Sequence, residues 1–242
     1  MTKIKSGSKP AKRGYLYENK FVELVNKNEK FNQSLKRLLK IKGRLKAKRI
    51  TDNRKKTDVK LIVDNKKEIG LSIKTAEANF NQLERVWLRE LARRHNMPKN
   101  IENKVNECLR EKSKNRKGKF ILDKYRDGIL DYFKKNLKPI LKDIFSKNEE
   151  NLKYLAVCVF VKDRWHIALM DEVIKEIGKS DLSTTVAGVI KIGDYLTLQR
   201  KGGDGAHVKL PKSDPRHPGN QLQFKIKPIS LLDLNIFQEI KY

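Results

Sequence analysis

Cysteine and long apolar runs are the scarcest features of this 242-residue sequence. Its two cysteines, Cys108 and Cys158, are too few for a disulfide scaffold or a cysteine-based zinc site, so we expect a reducing, cytoplasmic location. No segment approaches the roughly 18 apolar residues that a membrane span needs, so we expect no membrane association. The Lys- and Ser-rich start has no apolar segment behind it, so we also expect no secretory signal.

Acidic residues are also scarce, because 29 Asp and Glu oppose 56 Lys and Arg and leave a net charge of +27. A surplus of this size costs self-repulsion in a folded protein, and the usual reason to carry it is a polyanionic partner. We therefore expect a nucleic acid. A lysine-biased proteome is the alternative explanation, because the sequence is also rich in Asn and Ile.

Motifs for several other chemistries are missing. The four histidines are dispersed and show neither zinc-finger nor His-Asn-His spacing. The glycine-rich segment 202–205 lacks the Gly-Lys-Ser or Gly-Lys-Thr ending of a phosphate-binding loop, so it predicts a turn. No serine or cysteine nucleophile with a nearby base stands out.

Apolar spacing predicts a mixed α/β fold with a central mixed sheet, flanking helices and a β-rich C-terminal portion. We expect residues 1–150 to form a catalytic core with basic helices and residues 151–242 to complete the sheet within one compact unit. Helices are expected at 15–26, around 35–39, from 76 to about 95, and through 121–145 with a break near Pro139. Strands are expected at 58–64, 69–74, 154–161, 165–169, 186–192, 195–199 and 221–228.

The predicted hairpin 58–74 carries the residues best suited to chemistry. A hairpin brings the start of one strand beside the end of its partner, so Asp58 and Lys74 are expected to be neighbours. Ser72 is two residues from Lys74 and shares its face. A carboxylate that holds Mg²⁺ and an ammonium that neutralises developing charge suit hydrolysis of a phosphodiester bond.

These residues resemble the PD-(D/E)xK nuclease superfamily, which includes many type II restriction endonucleases. The family pattern is a Glu in an early helix, an Asp at a strand start, and an acidic residue two positions before a Lys, which here matches Glu18, Asp58 and Lys74. Thr57 replaces the family's proline, and Ser72 stands where the acidic residue is expected. Some restriction endonucleases with Ser-x-Lys take the missing carboxylate from the next helix.

The resemblance implies a restriction-endonuclease-like core and Mg²⁺-dependent, sequence-specific cleavage of double-stranded DNA, with a homodimer to cut both strands. Asp58 would ligate the metal and Lys74 would assist the attacking water. Glu77 or Glu84, seven residues apart on one face of the predicted helix, would complete the ligands, with Glu77 preferred. Glu18 would support metal or water.

Two other functions stay open on the sequence. One is a structure-selective nuclease such as a Holliday junction resolvase, which belongs to the same superfamily. The other is a non-catalytic basic nucleic-acid-binding protein, which would explain the charge without requiring Asp58 to face Lys74.

Candidate DNA-binding residues mix basic side chains with amides and an acid, as readout of base edges requires. Most lie in the glycine-rich segment before the last predicted strand, and the others lie on the helix after Lys74 or in the turn at 162–164. They are Arg85, Arg89, Arg164, Lys201, Asp204, His207, Arg216, His217, Asn220 and Gln221.

Overall fold

The computed structural model describes residues 8–52, 55–76, 79–147, 149–159, 164–203 and 208–241, with side chains from residue 14 onward. The chain forms two compact units, and neither is one continuous segment. The first unit comprises Met1–Asn79, Ser146–Val173 and Pro228–Tyr242, and the second comprises Phe80–Phe145 and Ile174–Lys227.

A mixed sheet with flanking helices forms the first unit, and it confirms the expected fold class. The elements are α1 (Ser8–Lys27), α2 (Glu29–Leu38), β1 (Leu45–Arg49), β2 (Val59–Val63), β3 (Lys67–Thr75), β5 (Leu152–Val159), β6 (Arg164–Leu169), the start of α7 (Met170–Ile177), α8 (Pro228–Leu231) and β11 (Gln238–Ile240). Within the described residues the six strands run in the order β1-β2-β3-β5-β6-β11. Neighbouring strands are antiparallel except β3 and β5, which are parallel.

The β2–β3 hairpin forms as the sequence predicts. Its turn places Asp64 and Asn65 at φ 52° and 58°, and Lys66 N donates to Val63 O at 3.0 Å. Asp and Asn adopt positive φ more readily than most residues, and two such residues in succession match the twist of a hairpin. Strand β3 is buried from Ile69 to Ile73, because it lies between β2 and β5 in the middle of the sheet.

Helix α1 packs against strands β1 and β3 through an apolar stripe. It contacts β1, β3 and α2, and Phe21 from this stripe packs edge-on against both Phe31 of α2 and Trp165 of β6. All three rings are fully buried. Burying an aromatic side chain of this size stabilises a fold by about 1.5–3 kcal/mol, so this cluster fixes α1 against the sheet.

The second unit combines helices with an antiparallel sheet. The elements are β4 (Asn81–Val86), α3 (Leu88–Arg94), α4 (Lys99–Lys114), α5 (Arg126–Lys135), α6 (Leu137–Ser146), the end of α7, β7 (Leu182–Thr184), β8 (Ile190–Ile192), β9 (Leu196–Arg200) and β10 (Leu222–Ile226). In the described chain the strand order is β4-β10-β9-β8-β7. Helix α3 contacts α4, and α5 contacts both α4 and β7.

The helix predicted from 76 to about 95 is wrong in its first half. Residues Asn81–Val86 form strand β4, and the helix begins only at Leu88. Strand β4 pairs with β10, where Arg85 stands opposite Gln223. That partner is distant in sequence, and its ladder of backbone hydrogen bonds outweighs the local helical spacing. Strands β1, β7 and β11 were not predicted.

The described part of the chain contains no helix long and apolar enough to cross a bilayer.

Candidate active site

Asp58 lies directly before β2, where the hairpin brings it against the end of β3. Its backbone N donates to Leu71 O at 3.0 Å, which extends the ladder by one residue. Its Oδ2 atom accepts hydrogen bonds from Ile73 N at 2.7 Å and Ser72 Oγ at 3.0 Å. The carboxylate is therefore held by the neighbouring strand.

Lys74 completes the cluster as the sequence predicts. Its Nζ lies 3.6 Å from Asp58 Oδ2 and donates to Ser72 Oγ at 3.0 Å and to Ile73 O at 3.1 Å. The side chains of Lys74 and Asp58 are only 17% and 25% exposed. Ser72 is buried and bridges the two charged groups, because its hydroxyl accepts from Lys74 and donates to Asp58.

Glu18 of α1 is brought close to the same cluster. Burial raises the pKa of its carboxyl, and the negative charge of Asp58 raises it further, while Arg49 and Lys74 act in the opposite direction. Two carboxylates that repel one another favour a cation, because a divalent ion between them removes the repulsion.

Arg49, at the end of β1, is a site residue that the sequence did not reveal. Its Nε lies 2.9 Å from Glu18 Oε2, and its guanidinium lies 4.4 Å above the centre of the Tyr15 ring. In the sequence Arg49 is one of many basic residues between Phe31 and Lys60. The available signal was the alternation that buries Leu45 and Ala47 and exposes Lys46 and Lys48, which is the pattern of a strand.

The donor set fits a hard divalent cation in its chemistry. Asp58 and Glu18 supply carboxylates, and Mg²⁺ commonly takes one or two protein carboxylates while water and substrate phosphate fill its other positions. Among the described residues no group of three His, Cys, Asp or Glu side chains is arranged to hold a metal. Glu77, the expected additional ligand, lies outside the described residues.

The reason for expecting Glu84 at the metal is removed. Glu84 lies on β4 opposite Phe224 of β10, in the second unit, and its side chain is buried. Because residues 81–86 form a strand, Glu84 does not share a helical face with Glu77. The helical spacing from which the shared face was predicted does not occur.

Several positive side chains gather in pairs in the second unit. The pKa of Lys201 is lowered by burial and then by the positive charge of Arg85. The pKa of Lys112 is lowered in the same way by burial and by Arg200. Such pairs of like charges attract phosphate, because an anion relieves their repulsion.

A cavity of about 900 Å³ opens between α3, α4 and the segment before β10. Trp87, Leu88 and Leu109 supply apolar lining, and the exposed side chains of Arg89 and Arg93 lie one helical turn apart at its rim. In the described part of the chain neither arginine has an ion-pair partner. The cavity also includes three of the predicted DNA-binding residues, which are Arg89, Arg216 and Asn220.

Three residues of the loop before β10 are occupied in holding that loop. Buried His217 accepts from Gly219 N through Nδ1 at 3.0 Å. Asn220 is also buried, accepts from Arg200 Nε at 2.8 Å and donates to two loop carbonyls, Lys212 O and Asp214 O. Arg216 forms two side-chain bonds to Asp214 and is exposed, and this pairing lowers the pKa of Asp214 to about 2.

The other predicted DNA-binding residues are scattered. Arg164 starts β6 in the first unit and lies 3.4 Å from Glu239. Gln221 is half-buried, and its carbonyl accepts from Lys201 N. Asp204 and His207 lie outside the described residues.

The central mixed sheet and the Asp58–Ser72–Lys74 cluster define a nuclease of the PD-(D/E)xK type. The family model of the R.HinP1I restriction endonuclease matches residues 44–232, and the chain belongs to this family. It is therefore a restriction endonuclease, an endodeoxyribonuclease that cleaves DNA at specific sequences.

A solved structure has the same fold. The crystal structure of the restriction endonuclease MspI in complex with its cognate DNA superposes with a TM-score of 0.59 at 12% sequence identity, over 88% of each chain. No curated protein sequence matches significantly.

Proposed function

We propose that this endonuclease hydrolyses phosphodiester bonds of double-stranded DNA with Mg²⁺, and that the Asp58–Ser72–Lys74 cluster is its catalytic centre. The observation that carries the proposal is the 3.6 Å approach of Lys74 Nζ to Asp58 Oδ2 across the buried Ser72 hydroxyl. A half-buried carboxylate and ammonium so arranged suit a reaction in which negative charge develops on phosphate.

Asp58 and Glu77 are the proposed metal ligands, and Glu18 supports the metal or its water from α1. When bound, Mg²⁺ would polarise the phosphate and lower the pKa of a coordinated water. Ile73 N and Ser72 Oγ orient the Asp58 carboxylate by donating to one of its oxygens. The other oxygen is left for the metal.

Lys74 is the proposed partner of the attacking water and of the phosphate. Its ammonium is held at a fixed point by Ser72 Oγ and Ile73 O. From there it can donate to a water that approaches the phosphorus and stabilise the negative charge that forms on the phosphate oxygens.

DNA contacts are proposed on the second unit. Arg85 with Lys201, and Arg89 with Arg93 at the cavity rim, form two positive pairs that suit the phosphate backbone. Arg216 and Gln221 remain candidates for base contacts, because their side chains reach the surface of the loop before β10.

We also propose that the enzyme acts as a homodimer. A two-fold symmetric protein can place one site on each strand of a symmetric DNA sequence. Sedimentation equilibrium in the presence of a duplex with the cleavage site gives the stoichiometry. A complex with one protein chain per duplex would contradict the dimer and leave the chemistry unaffected.

The test is incubation of the protein with plasmid and with a four-way junction, in Mg²⁺ or in EDTA. We expect discrete plasmid fragments with Mg²⁺ and none with EDTA. Sequencing of the fragment ends then gives the cleavage site. Lys74→Ala should lose cleavage, whereas Lys67→Ala, which changes an exposed lysine of the same strand, should retain it. Cleavage of the junction alone, or full activity of Lys74→Ala, would contradict the proposal.

A further inference from the structure

Glu149 makes an unusual set of contacts from the turn before β5. Its carboxylate accepts from Lys56 N at 2.5 Å, Thr57 N at 3.2 Å and Thr57 Oγ1 at 2.6 Å. These bonds span more than 90 residues of sequence. Hydrogen bonds to an ionised acceptor are roughly twice as strong as neutral ones, so the turn is firmly joined to the segment that precedes Asp58.

The backbone of the Glu149 turn is stabilised without this side chain. Glu149 N donates to Ser146 O at 2.8 Å, and Leu152 N donates to Glu149 O at 3.0 Å. The carboxylate, in contrast, accepts from Lys56 and Thr57. It therefore acts on the segment before β2 rather than on its own turn.

Thr57 fits tightly into the sheet beside the site. It is only 5% exposed, and a Cβ on Gly70 would lie 2.8 Å from Thr57 Oγ1 and 2.9 Å from Leu152 Cα. Gly70 N also donates to Asn151 O. A side chain at position 70 would push Thr57 away, so Gly70 and Glu149 together determine where Thr57 lies.

The position of Thr57 is transmitted directly to Asp58, the next residue. Both backbone groups of Asp58 are bonded within the sheet, N to Leu71 O and O to Ile50 N. Asp58 is joined on its N-terminal side to Thr57 by a peptide bond, so a shift of Thr57 would move the backbone from which the carboxylate extends. Glu149 in turn holds Thr57, because its carboxylate accepts hydrogen bonds from both the backbone N–H and the hydroxyl of Thr57.

We propose that Glu149 is a positioning residue for the catalytic carboxylate, and that it acts through Thr57 to aim Asp58 at Lys74 and the metal. The inference rests on the role proposed above for Asp58. It assigns a site function to a residue some 90 positions away in sequence that touches neither substrate nor metal.

The test compares Glu149→Gln with Glu150→Gln, which changes an exposed neighbour. The amide keeps the size of the side chain but replaces one acceptor oxygen with an NH₂ group, which faces the donors of Lys56 or Thr57. We expect kcat to fall by about 10- to 100-fold, or the half-saturating Mg²⁺ concentration to rise by that factor, as for other residues that orient a metal ligand. Affinity for the cognate duplex in EDTA should stay within about twofold, because a positioning role concerns kcat.

Substitutions of Thr57 provide a second test of the same proposal. Thr57→Ser keeps the hydroxyl and should cleave faster than Thr57→Val, and adding Thr57→Val to Glu149→Gln should cost little more than Glu149→Gln alone. If Glu149→Gln does not fold, as judged by thermal unfolding, the serine and valine variants decide. Equal rates for those two overturn the inference.

Three other results overturn it. These are a folded Glu149→Gln with unchanged kcat and Mg²⁺ dependence, a fall in duplex affinity that parallels the loss of cleavage, and independent effects of the two substitutions. Asp58→Asn distinguishes a failure of the proposed function from a failure of the positioning role. If Asp58→Asn cleaves at the wild-type rate, the proposed function fails, whereas a strongly impaired Asp58→Asn beside a fully active Glu149→Gln rejects the positioning role alone.

Discussion

Replacing Ser72 by alanine isolates the bridge between Asp58 and Lys74. The substitution removes the bond from Ser72 Oγ to Asp58 Oδ2 and the bond from Lys74 Nζ to Ser72 Oγ, each 3.0 Å long. Asp58 keeps the bond from Ile73 N, and Lys74 keeps Ile73 O. Ser72 is 4% exposed, so water cannot readily replace its hydroxyl.

The expected magnitude follows from the removal of these two bonds. A hydrogen bond to a charged group contributes about 1.5–3 kcal/mol. Because each charged partner keeps another bond, we expect about 2 kcal/mol to appear in the barrier, which corresponds to about 30-fold in kcat at about 1.4 kcal/mol per factor of ten. DNA affinity should not change, since Ser72 is buried and its hydroxyl contacts the two proposed catalytic groups, Asp58 and Lys74.

Single-turnover cleavage of the cognate duplex at saturating Mg²⁺ measures this effect. Binding of the same duplex in EDTA and thermal unfolding are measured in parallel. Ser183→Ala, which changes an exposed serine of strand β7, is the matched control. If a folded Ser72→Ala cleaves within about twofold of the wild-type rate, the bridge positions neither group and the expected magnitude is wrong.

Three further outcomes are expected. Arg85→Ala combined with Lys201→Ala should reduce the slope of log K against log salt by about 0.9 for each phosphate that the protein no longer neutralises, measured by fluorescence anisotropy. Arg49→Met removes a charge that lowers the pKa of Glu18, so the rising limb of the pH–rate profile should move to higher pH. Asn220→Ala removes its hydrogen bonds with Arg200 and with two loop carbonyls. Because each bond contributes about 1 kcal/mol, the free energy of unfolding measured by urea denaturation should fall by about 2–4 kcal/mol.

Different results would contradict each expectation. An unchanged salt slope would remove the Arg85–Lys201 pair from the DNA interface. A pH profile that stays in place, or moves to lower pH, would show that ionisation of Glu18 does not govern the rate. Asn103→Ala, at an exposed position of α4, is the control for Asn220, and equal stability of the two variants would show that the loop network contributes little.

The β2–β3 hairpin, which carries the proposed catalytic residues, could be predicted because its determinants are local. Turn residues, alternation and a short connection fix the β2–β3 pairing, and this pairing alone brings Asp58 to Ser72 and Lys74. The same reasoning identified α1, whose apolar stripe is read within one helix. Geometry that follows from neighbours in sequence is accessible without coordinates.

The features that the sequence did not predict depend on distant partners. Strand β4 forms because β10 lies beside it, and local spacing alone favours a helix there. The pairing of Arg49 with Glu18 requires β1 to lie under α1, and the contact of Glu149 with Thr57 requires β5 to lie parallel to β3. None of these partners can be inferred from the residues next to them in the chain.

Cleavage by Asp58→Asn, measured across a series of Mg²⁺ concentrations, decides whether the Asp58 carboxylate is the catalytic metal ligand. The amide can keep the hydrogen bonds from Ile73 N and Ser72 Oγ to an oxygen but removes the negative charge. We expect a folded protein that binds the cognate duplex normally in EDTA, while its cleavage rate falls by at least about 100-fold at every Mg²⁺ concentration. A variant that reaches the wild-type rate with the wild-type Mg²⁺ dependence would contradict this role.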